Sequence, residues 1–145
     1  MPPGSALGSL SLYRMNLHEL SYFFLKLLVS PASMGCIFLI LGAILAKFPA
    51  KKINMYYGYR TPRSMLNQDT WNVANAFSGM LMQRIGAISI FAGVVLSLTP
   101  ASVLFVAMAN AGLTLATAII LIVMTERKLN NEFDKDGIRK SQSGF

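Results

Sequence analysis

The sequence predicts an all-α integral membrane protein with three transmembrane helices, a short N-terminal interfacial helix and a structured cytoplasmic loop between spans one and two. Composition is the first reason: 54% of the 145 residues are hydrophobic and only 13% are charged, whereas soluble domains carry about 25% charged residues. The second is that the apolar runs approach the roughly 20 residues that a bilayer-crossing helix needs. The third is a single long polar interruption, residues 47–79, with apolar sequence on both sides.

The N-terminal segment divides into two parts. Residues 1–16 are rich in Pro, Gly and Ser, which predicts disorder, and Met15 is an alternative translation start. Residues 17–29 are apolar but contain Lys26, and no convincing small-residue cleavage site follows them. We therefore expect an interfacial helix here rather than a cleaved signal peptide.

The three-span membrane domain is expected over residues 30–125, and its first span covers about residues 31–48. Ser30 can cap the free amide groups of this helix, and Pro31 suits its first position. Lys47 is close enough to the end of the span to extend its ammonium group to the membrane surface. Pro49 then ends the helix.

The second and third spans are expected at about residues 80–98 and 101–124, joined by a very short turn. The second continues a helix capped by Asn67 or Asp69, which makes residues 71–77 its exposed or interfacial first turns. Thr99 and Pro100 repeat the cap-plus-proline pattern before the third span. Residues 126–145 are predicted to be a solvated polar tail in the cytoplasm.

The distribution of Lys and Arg predicts the orientation. Six of the thirteen lie in or beside the long loop and five in the tail, whereas two precede the first span and none lies in the turn at Thr99 and Pro100. Cytoplasmic segments carry the excess of positive charge. The N-terminus is thus expected outside, with the loop and the C-terminus in the cytoplasm, in a bacterial inner membrane.

Small residues mark the helix faces that we expect to pack closely. Gly79, Gly86 and Gly93 recur every seven residues in span two, as Gly35 and Gly42 do in span one; span three offers Ala109, Gly112 and Ala116. Such stripes let backbones approach each other in a three-helix core, a homodimer or a larger assembly.

Polar residues inside the spans give little sign of transport. Asn110, Thr114 and Thr117 share one face of span three; a hydrogen bond to a neighbouring helix explains them more simply than a transport or ligand site. The three spans contain no Asp, Glu or His, which argues against a proton-driven pump or a metal transporter. Asp134 and Asp136 before Gly137 are only a weak calcium signal, because the other ligands are missing. We therefore expect no cofactor, metal site or catalytic residue.

The loop at residues 49–79 carries the candidate site. It combines Tyr56, Tyr57, Tyr59 and Trp71 with basic residues. One interpretation is an aromatic belt at the membrane interface, with the basic groups facing anionic lipid headgroups. The other is a shaped pocket centred on Arg60 that binds an anionic headgroup, a peptide carboxylate or an acidic partner. Nucleic acid is disfavoured, because a short loop tied to the membrane at both ends makes a poor groove for it.

The same loop resembles a family signature. Residues 52–79 read K-I-N-M-Y-Y-G-Y-R-T-P-R-S-M-L-N-Q-D-T-W-N-V-A-N-A-F-S-G. This run closely resembles that of SdpI-family membrane proteins, which are named for immunity to a secreted sporulation-delaying toxin. The likeness extends from about Met34 into the tail, and the first thirty residues look like an addition. It implies a small helical membrane protein with the motif at the cytoplasmic face and a role in toxin immunity or signalling.

These observations support two hypotheses about function, each from a different class of protein. The leading hypothesis is a non-enzymatic SdpI-like protein that gives immunity to, or senses, a membrane-active peptide, with a peptide toxin or a soluble regulator as partner. The alternative is an accessory or structural subunit of a larger membrane complex. A membrane enzyme is disfavoured, because no nucleophile–base pair, paired acids or metal cluster is evident. The expected ligand- or partner-binding residues are Asn54, Tyr57, Gly58, Arg60, Thr61, Pro62, Asp69, Trp71 and Asn75.

Overall fold

Four helices make up the fold. The computed structural model describes residues 4–140, with side chains from residue 16 onward. The helices are α1 (Gly4–Val29), α2 (Pro31–Lys47), α3 (Gln68–Ser97) and α4 (Val103–Glu132). Within these described residues the only strand-like pairing is one antiparallel bridge between Phe133 and Arg139. The all-helical class is therefore confirmed.

Two helices are long and apolar enough to cross a membrane on their own. These are α3 and α4, each of 30 residues. The pair formed by residues 16–29 of α1 and by α2 passes the same test only when taken together, with a bend of 50° between its halves. The fold thus contains two candidate spans, or three if the bent pair is one broken span. The three-span arrangement remains a prediction.

The break between α1 and α2 lies at Ser30, where the sequence predicts a helix start. The Ser30 hydroxyl accepts a hydrogen bond from the amide of Ala32 at 3.2 Å, and Pro31 occupies the first turn. The start of α1 differs from the prediction, because helix begins at Gly4, inside the segment expected to be disordered. Pro2 and Pro3 precede this point, and Ala, Leu and Met residues after it favour helix.

Glycine contacts hold α2 and α3 together. A Cβ atom added at Gly86 would lie 2.7 Å from the carbonyl oxygen of Gly35, and one added at Gly42 would lie 2.7 Å from that of Gly79. Close approach of this kind needs residues without side chains. The packing predicted from the glycine stripes is confirmed for these two helices. Gln83 adds a hydrogen bond across the interface, from Nε2 to the carbonyl oxygen of Gly42 at 3.0 Å.

Helix α4 is the least covered of the long helices. Its buried residues are Val106 near the start and Thr125 and Leu129 near the end. A Cβ atom added at Gly112, in the middle, would have no atom of the described chain within 4 Å, so the small-residue stripe of this helix is left uncovered at that point. A large part of its apolar surface therefore faces outward.

Two expectations about α4 are wrong in detail. The cap is Ser102, whose hydroxyl accepts from the amide of Phe105 at 3.3 Å, because the Thr99 hydroxyl instead donates to the carbonyl oxygen of Leu96. The polar residues do not bond to a neighbouring helix as expected. Thr114 donates to Asn110 at 3.4 Å, and Thr117 donates to the carbonyl oxygen of Thr114 at 2.9 Å, both within α4.

The end of the described chain is folded, although the sequence predicts a solvated tail. Helix α4 continues to Glu132, and residues 133–140 form a tight turn with Phe133 completely buried. The Asp134 carboxylate accepts from the amides of Asp136 and Ile138 at 3.0 and 2.8 Å, and Gly137 has a φ of 76°. The Asp134 carboxylate thus stabilises a turn. Among the described residues, no group of three His, Cys, Asp or Glu side chains could hold a metal ion.

Candidate functional site

The loop that links α2 to α3 packs against the end of α4. Tyr59 from the loop, Ala74 from α3, and Leu129 and Phe133 from the end of α4 form a buried cluster, with Val73 packed against it. The loop and the folded tail therefore lie at the same end of the molecule. Residues 49–79, which we call the motif loop, comprise this irregular segment and the first turns of α3.

Asn54 organises the first turn of the motif loop. Its side-chain oxygen accepts from the amides of Tyr56 and Tyr57 at 3.0 and 2.8 Å, while its amide group donates to the carbonyl oxygen of Lys52. This arrangement is an Asx turn, in which the side chain bonds to nearby backbone amides and so favours a loop over a helix. The Tyr57 hydroxyl then donates to the carbonyl oxygen of Phe48 at 2.9 Å, which ties the turn to the end of α2.

Gly58 and Asn75 lock the loop onto α3. Gly58 has a φ of +108°, and a Cβ atom there would collide with the Asn75 side-chain oxygen. That same oxygen accepts from the buried amide of Tyr59 at 2.6 Å. The Asn75 amide group donates to the carbonyl oxygen of Trp71, one turn earlier, at 2.9 Å. Only glycine combines this backbone angle with so close an approach.

Trp71 anchors the loop from beneath. Its side chain is completely buried, and its indole N–H donates to the carbonyl oxygen of Ala50 at 2.6 Å. Asn75 is also buried, one turn further along α3. The interpretation of this loop as an exposed aromatic belt is therefore wrong for Trp71, because the loop folds back over the start of α3 and covers the indole.

Glu126 is the site residue that sequence reasoning missed. Its carboxylate accepts from the Tyr59 hydroxyl at 3.1 Å and from the Thr61 hydroxyl at 2.8 Å. Burial, and then the charge of Glu126, raise the pKa of the Tyr59 hydroxyl above its usual range, so this group stays protonated and donates. The sequence signals at this point of α4 only a change from apolar to charged residues, and that change by itself predicts the start of a solvated tail.

A second turn leads into α3. The Thr61 amide donates to the Ser64 hydroxyl at 2.9 Å, and the Ser64 hydroxyl donates to the carbonyl oxygen of Tyr59 at 2.9 Å. Asn67 caps α3, with its side-chain oxygen accepting from the amides of Asp69 and Thr70. Of the two caps that the sequence allows, Asn67 is therefore the one used.

The folded tail also accepts hydrogen bonds from this turn. Arg63 donates to the carbonyl oxygens of Phe133 and Asp134, both at 3.1 Å, although its Nε is buried without a hydrogen-bond partner in the described chain. Asn67 donates to the carbonyl oxygen of Gly137 at 2.7 Å. Asp69 receives two hydrogen bonds from Arg139, each of 3.1 Å. This last pair is exposed, so its contribution to stability is small.

Four of the exposed residues of the motif loop lie close together in the sequence. Tyr56 is 94% exposed, Met55 and Arg60 are also exposed, and Arg60 donates to the carbonyl oxygen of Met55. Lys52 lies close by in sequence and is exposed too. We call these four residues the presented face. Of the predicted site residues, Arg60, Pro62 and Asp69 are exposed, Trp71 and Asn75 are buried, and the remaining four are partly buried: Asn54, Tyr57, Gly58 and Thr61.

Comparison with known proteins identifies the family. The model of the SdpI/YfhL protein family matches residues 51–126, more than half of the chain. The chain belongs to the SdpI/YfhL family. The YfhL protein of Bacillus subtilis (strain 168), described as uncharacterized, is 38% identical to it over 95 residues, which are 66% of this chain and 81% of that protein. No solved structure matches the chain.

The SdpI/YfhL match covers nearly all of the motif loop, α3 and most of α4. It begins at Lys51 and ends at Glu126, so it includes both Asn75 and the carboxylate that holds Tyr59 and Thr61. The family resemblance seen in the motif is therefore confirmed, and membership together with the apolar helices makes this a membrane protein. Helices α1 and α2 lie outside the matched residues.

Proposed function

We propose that this protein is a non-enzymatic inner-membrane protein that gives immunity to, or senses, a membrane-active peptide. Family membership supports an immunity-type membrane protein. The observation that carries the proposal is the division of the motif loop into a buried frame and the presented face. Internal hydrogen bonds are made by Asn75, Trp71 and Glu126. Tyr56 and Arg60 are instead exposed and can contact a partner.

The chemistry of the presented face defines what it can bind. Lys52 and Arg60 supply positive charge, and Tyr56 and Met55 supply apolar contact area. Tyr and Arg are enriched among residues that dominate binding energy at interfaces. Such a surface fits an acidic, partly apolar segment of a peptide or of a soluble regulator. Anionic lipid headgroups are its natural neighbours when no partner is bound.

The proposed topology puts this face in the cytoplasm. The bent pair of α1 and α2 would be the first span, followed by α3 and α4, with the N-terminus outside. The packing of the motif loop against the folded tail supports this arrangement, because both then lie on the same, basic side of the membrane. The charge distribution favours the cytoplasmic side for them.

The proposal predicts that Arg60→Ala removes protection while the protein still folds and inserts. The guanidinium is exposed and its hydrogen bond is to a neighbouring loop carbonyl, so its loss should change stability by less than about 0.5 kcal/mol. The measurement is survival of cells that lack their own immunity protein, express this one and receive the sporulation-delaying toxin. Arg84→Ala is the matched control, because Arg84 is exposed on α3 outside the motif loop.

Two results would count against this proposal. One is that the unchanged protein gives no survival advantage against the toxin. The other is that Arg60→Ala and Arg84→Ala survive equally well at equal membrane levels. In the second case the presented face would have no part in the protection.

The alternative is an accessory subunit of a larger membrane complex, and the uncovered surface of α4 favours it. Gly112 meets nothing in the described chain, and the apolar residues Leu113 and Leu115 beside it are exposed. Purification from native membranes in mild detergent separates the two functions. A large complex retained at constant stoichiometry supports the subunit role, whereas recovery alone, or with one small peptide or soluble regulator, supports immunity or sensing.

A further inference from the structure

A cavity of about 400 Å³ lies at the end of the molecule opposite the motif loop, where α1 meets the turn between α3 and α4. Helix α1 contributes one face to it, with side chains at the three- and four-residue spacing of a helix. Its lining includes Glu19, Tyr22, Phe23 and Lys26 of α1 and Leu98 and Thr99 of the turn. The turn belongs to the residues matched by the family model, whereas the α1 face lies outside them. The charged side chains of the cavity therefore come from outside the residues that the family model matches.

Lys26 is the unusual residue of this cavity. The residue is only 5% exposed, its Nζ donates to the carbonyl oxygen of Thr99 at 2.8 Å, and it lies 4.9 Å from the centre of the Tyr22 ring. An ammonium group has three donors. Among residues 16–140 no carboxylate lies within 4 Å of it. A buried charge without a counter-charge is costly, so an anion from outside the chain would be favoured here.

Glu19 adds a negative charge to the same cavity. It is exposed and stands about two turns before Lys26 on the same face of α1. The cavity thus offers a buried cation at one end and an accessible anion at the other, with two aromatic rings between them. A simple anion would use only half of this arrangement, whereas a ligand carrying both charges would use all of it.

The rim of the cavity is apolar. Leu98, which lines it, is 71% exposed, and Leu20 and Phe24 of α1 are exposed nearby. In a membrane these side chains would lie against acyl chains. The surroundings therefore favour a headgroup that arrives attached to a lipid over one that arrives from water.

We propose that this cavity binds a phosphate group next to an ammonium group, the chemistry of an ethanolamine phospholipid headgroup. The phosphate accepts hydrogen bonds from Lys26, and the ammonium group pairs with Glu19. The site is separate from the presented face and does not depend on the proposed function. It would fasten α1, by way of one bound lipid, to the turn between α3 and α4.

The test is native mass spectrometry of the whole protein released from bilayers of phosphatidylethanolamine and phosphatidylglycerol in equal amounts. We expect the unchanged protein to retain phosphatidylethanolamine. Lys26→Met should reduce this retention by about tenfold, because a hydrogen bond to a charged group is lost, whereas Lys26→Arg should keep most of it. Lys47→Met is the matched control, since Lys47 is an exposed lysine at the far end of α2.

Glu19→Gln tests the second charge and remains informative if Lys26→Met fails to fold. It should remove the preference for phosphatidylethanolamine over phosphatidylglycerol. Soluble phosphoethanolamine separates the two sources of the ligand: no displacement of the lipid assigns the site to a lipid, and displacement at equal concentration assigns it to a soluble ligand. Equal retention by the unchanged protein and Lys26→Met, or no preference between the two lipids in the unchanged protein, overturns the proposal.

Discussion

Replacing Trp71 with alanine is expected to lower the free energy of unfolding by about 3–5 kcal/mol, the usual cost of deleting a buried aromatic side chain. Trp71 is completely buried, its ring lies directly under Gly58, and its indole N–H holds the carbonyl oxygen of Ala50. The substitution would leave a cavity beneath the motif loop and a carbonyl group without its partner. Denaturation of the purified protein in mixed micelles measures the change.

Two further variants make this result specific. Trp71→Phe keeps much of the packing and loses only the indole donor, so it should cost less than Trp71→Ala. Tyr56→Ala removes a neighbouring aromatic ring that is 94% exposed, and should stay within about 0.5 kcal/mol of the unchanged protein. If Trp71→Ala were as mild as Tyr56→Ala, the loop would not be packed on α3 as described.

Replacing Gly86 with leucine is expected to separate α2 from α3. Even a Cβ atom at Gly86 would lie 2.7 Å from both the carbonyl oxygen of Gly35 and the amide nitrogen of Leu39. Both are backbone atoms, so the clash cannot be relieved by a side-chain rotation. Overpacking of this kind costs about 1–3 kcal/mol or more. Thermal unfolding in detergent, read by the loss of helical circular dichroism, measures it.

Gly112→Leu is the matched control for the helix interface. It makes the same substitution in the middle of a long apolar helix, but at a position with no atom within 4 Å of the added Cβ. It should leave the unfolding temperature nearly unchanged. Equal damage from the two substitutions would mean either that α2 and α3 do not pack through their glycines or that α4 is covered by a partner.

Local chemistry makes much of the fold predictable. Ser30 with Pro31, and the pair Asn67 and Asp69, are cap signals that act over a single turn. Helix α2 begins where its signal places it, and α3 begins at one of the two caps that the sequence allows. The glycine repeats of α2 and α3 are equally readable, because seven-residue spacing keeps them on one helical face. In each case the residues that make the structure lie within a few turns of one another, or repeat with the helical period.

Long-range contacts are not predictable in the same way. Glu126 lies 65 residues from Thr61, and no local pattern indicates that its carboxylate receives two hydroxyl groups of the motif loop. The tail departs from its prediction for the same reason. Its charge suggests a solvated segment, but Asp134 and Gly137 close a turn whose carbonyl groups are held by Arg63 and Asn67.

The motif locates the motif loop in the sequence. The sequence alone does not show which of its residues are buried and which belong to the presented face. A run of residues that resembles a family motif does not say which way each side chain points. Trp71 and Asn75 have the chemistry of binding residues, but both are buried and make hydrogen bonds within the protein. Tyr56, by contrast, lies outside the expected site and is 94% exposed on the presented face.

Amide hydrogen exchange of the protein in lipid nanodiscs tests the central claim most directly, because it asks whether the motif loop is a fixed frame. The amides of Tyr59, Thr61 and Met65 each donate a hydrogen bond within it, to Asn75, Ser64 and Thr61 respectively. We predict that they exchange slowly, as hydrogen-bonded amides in the interior of α3 do. Exchange at the rate of an unstructured loop would contradict the division of this segment into a buried frame and a presented face.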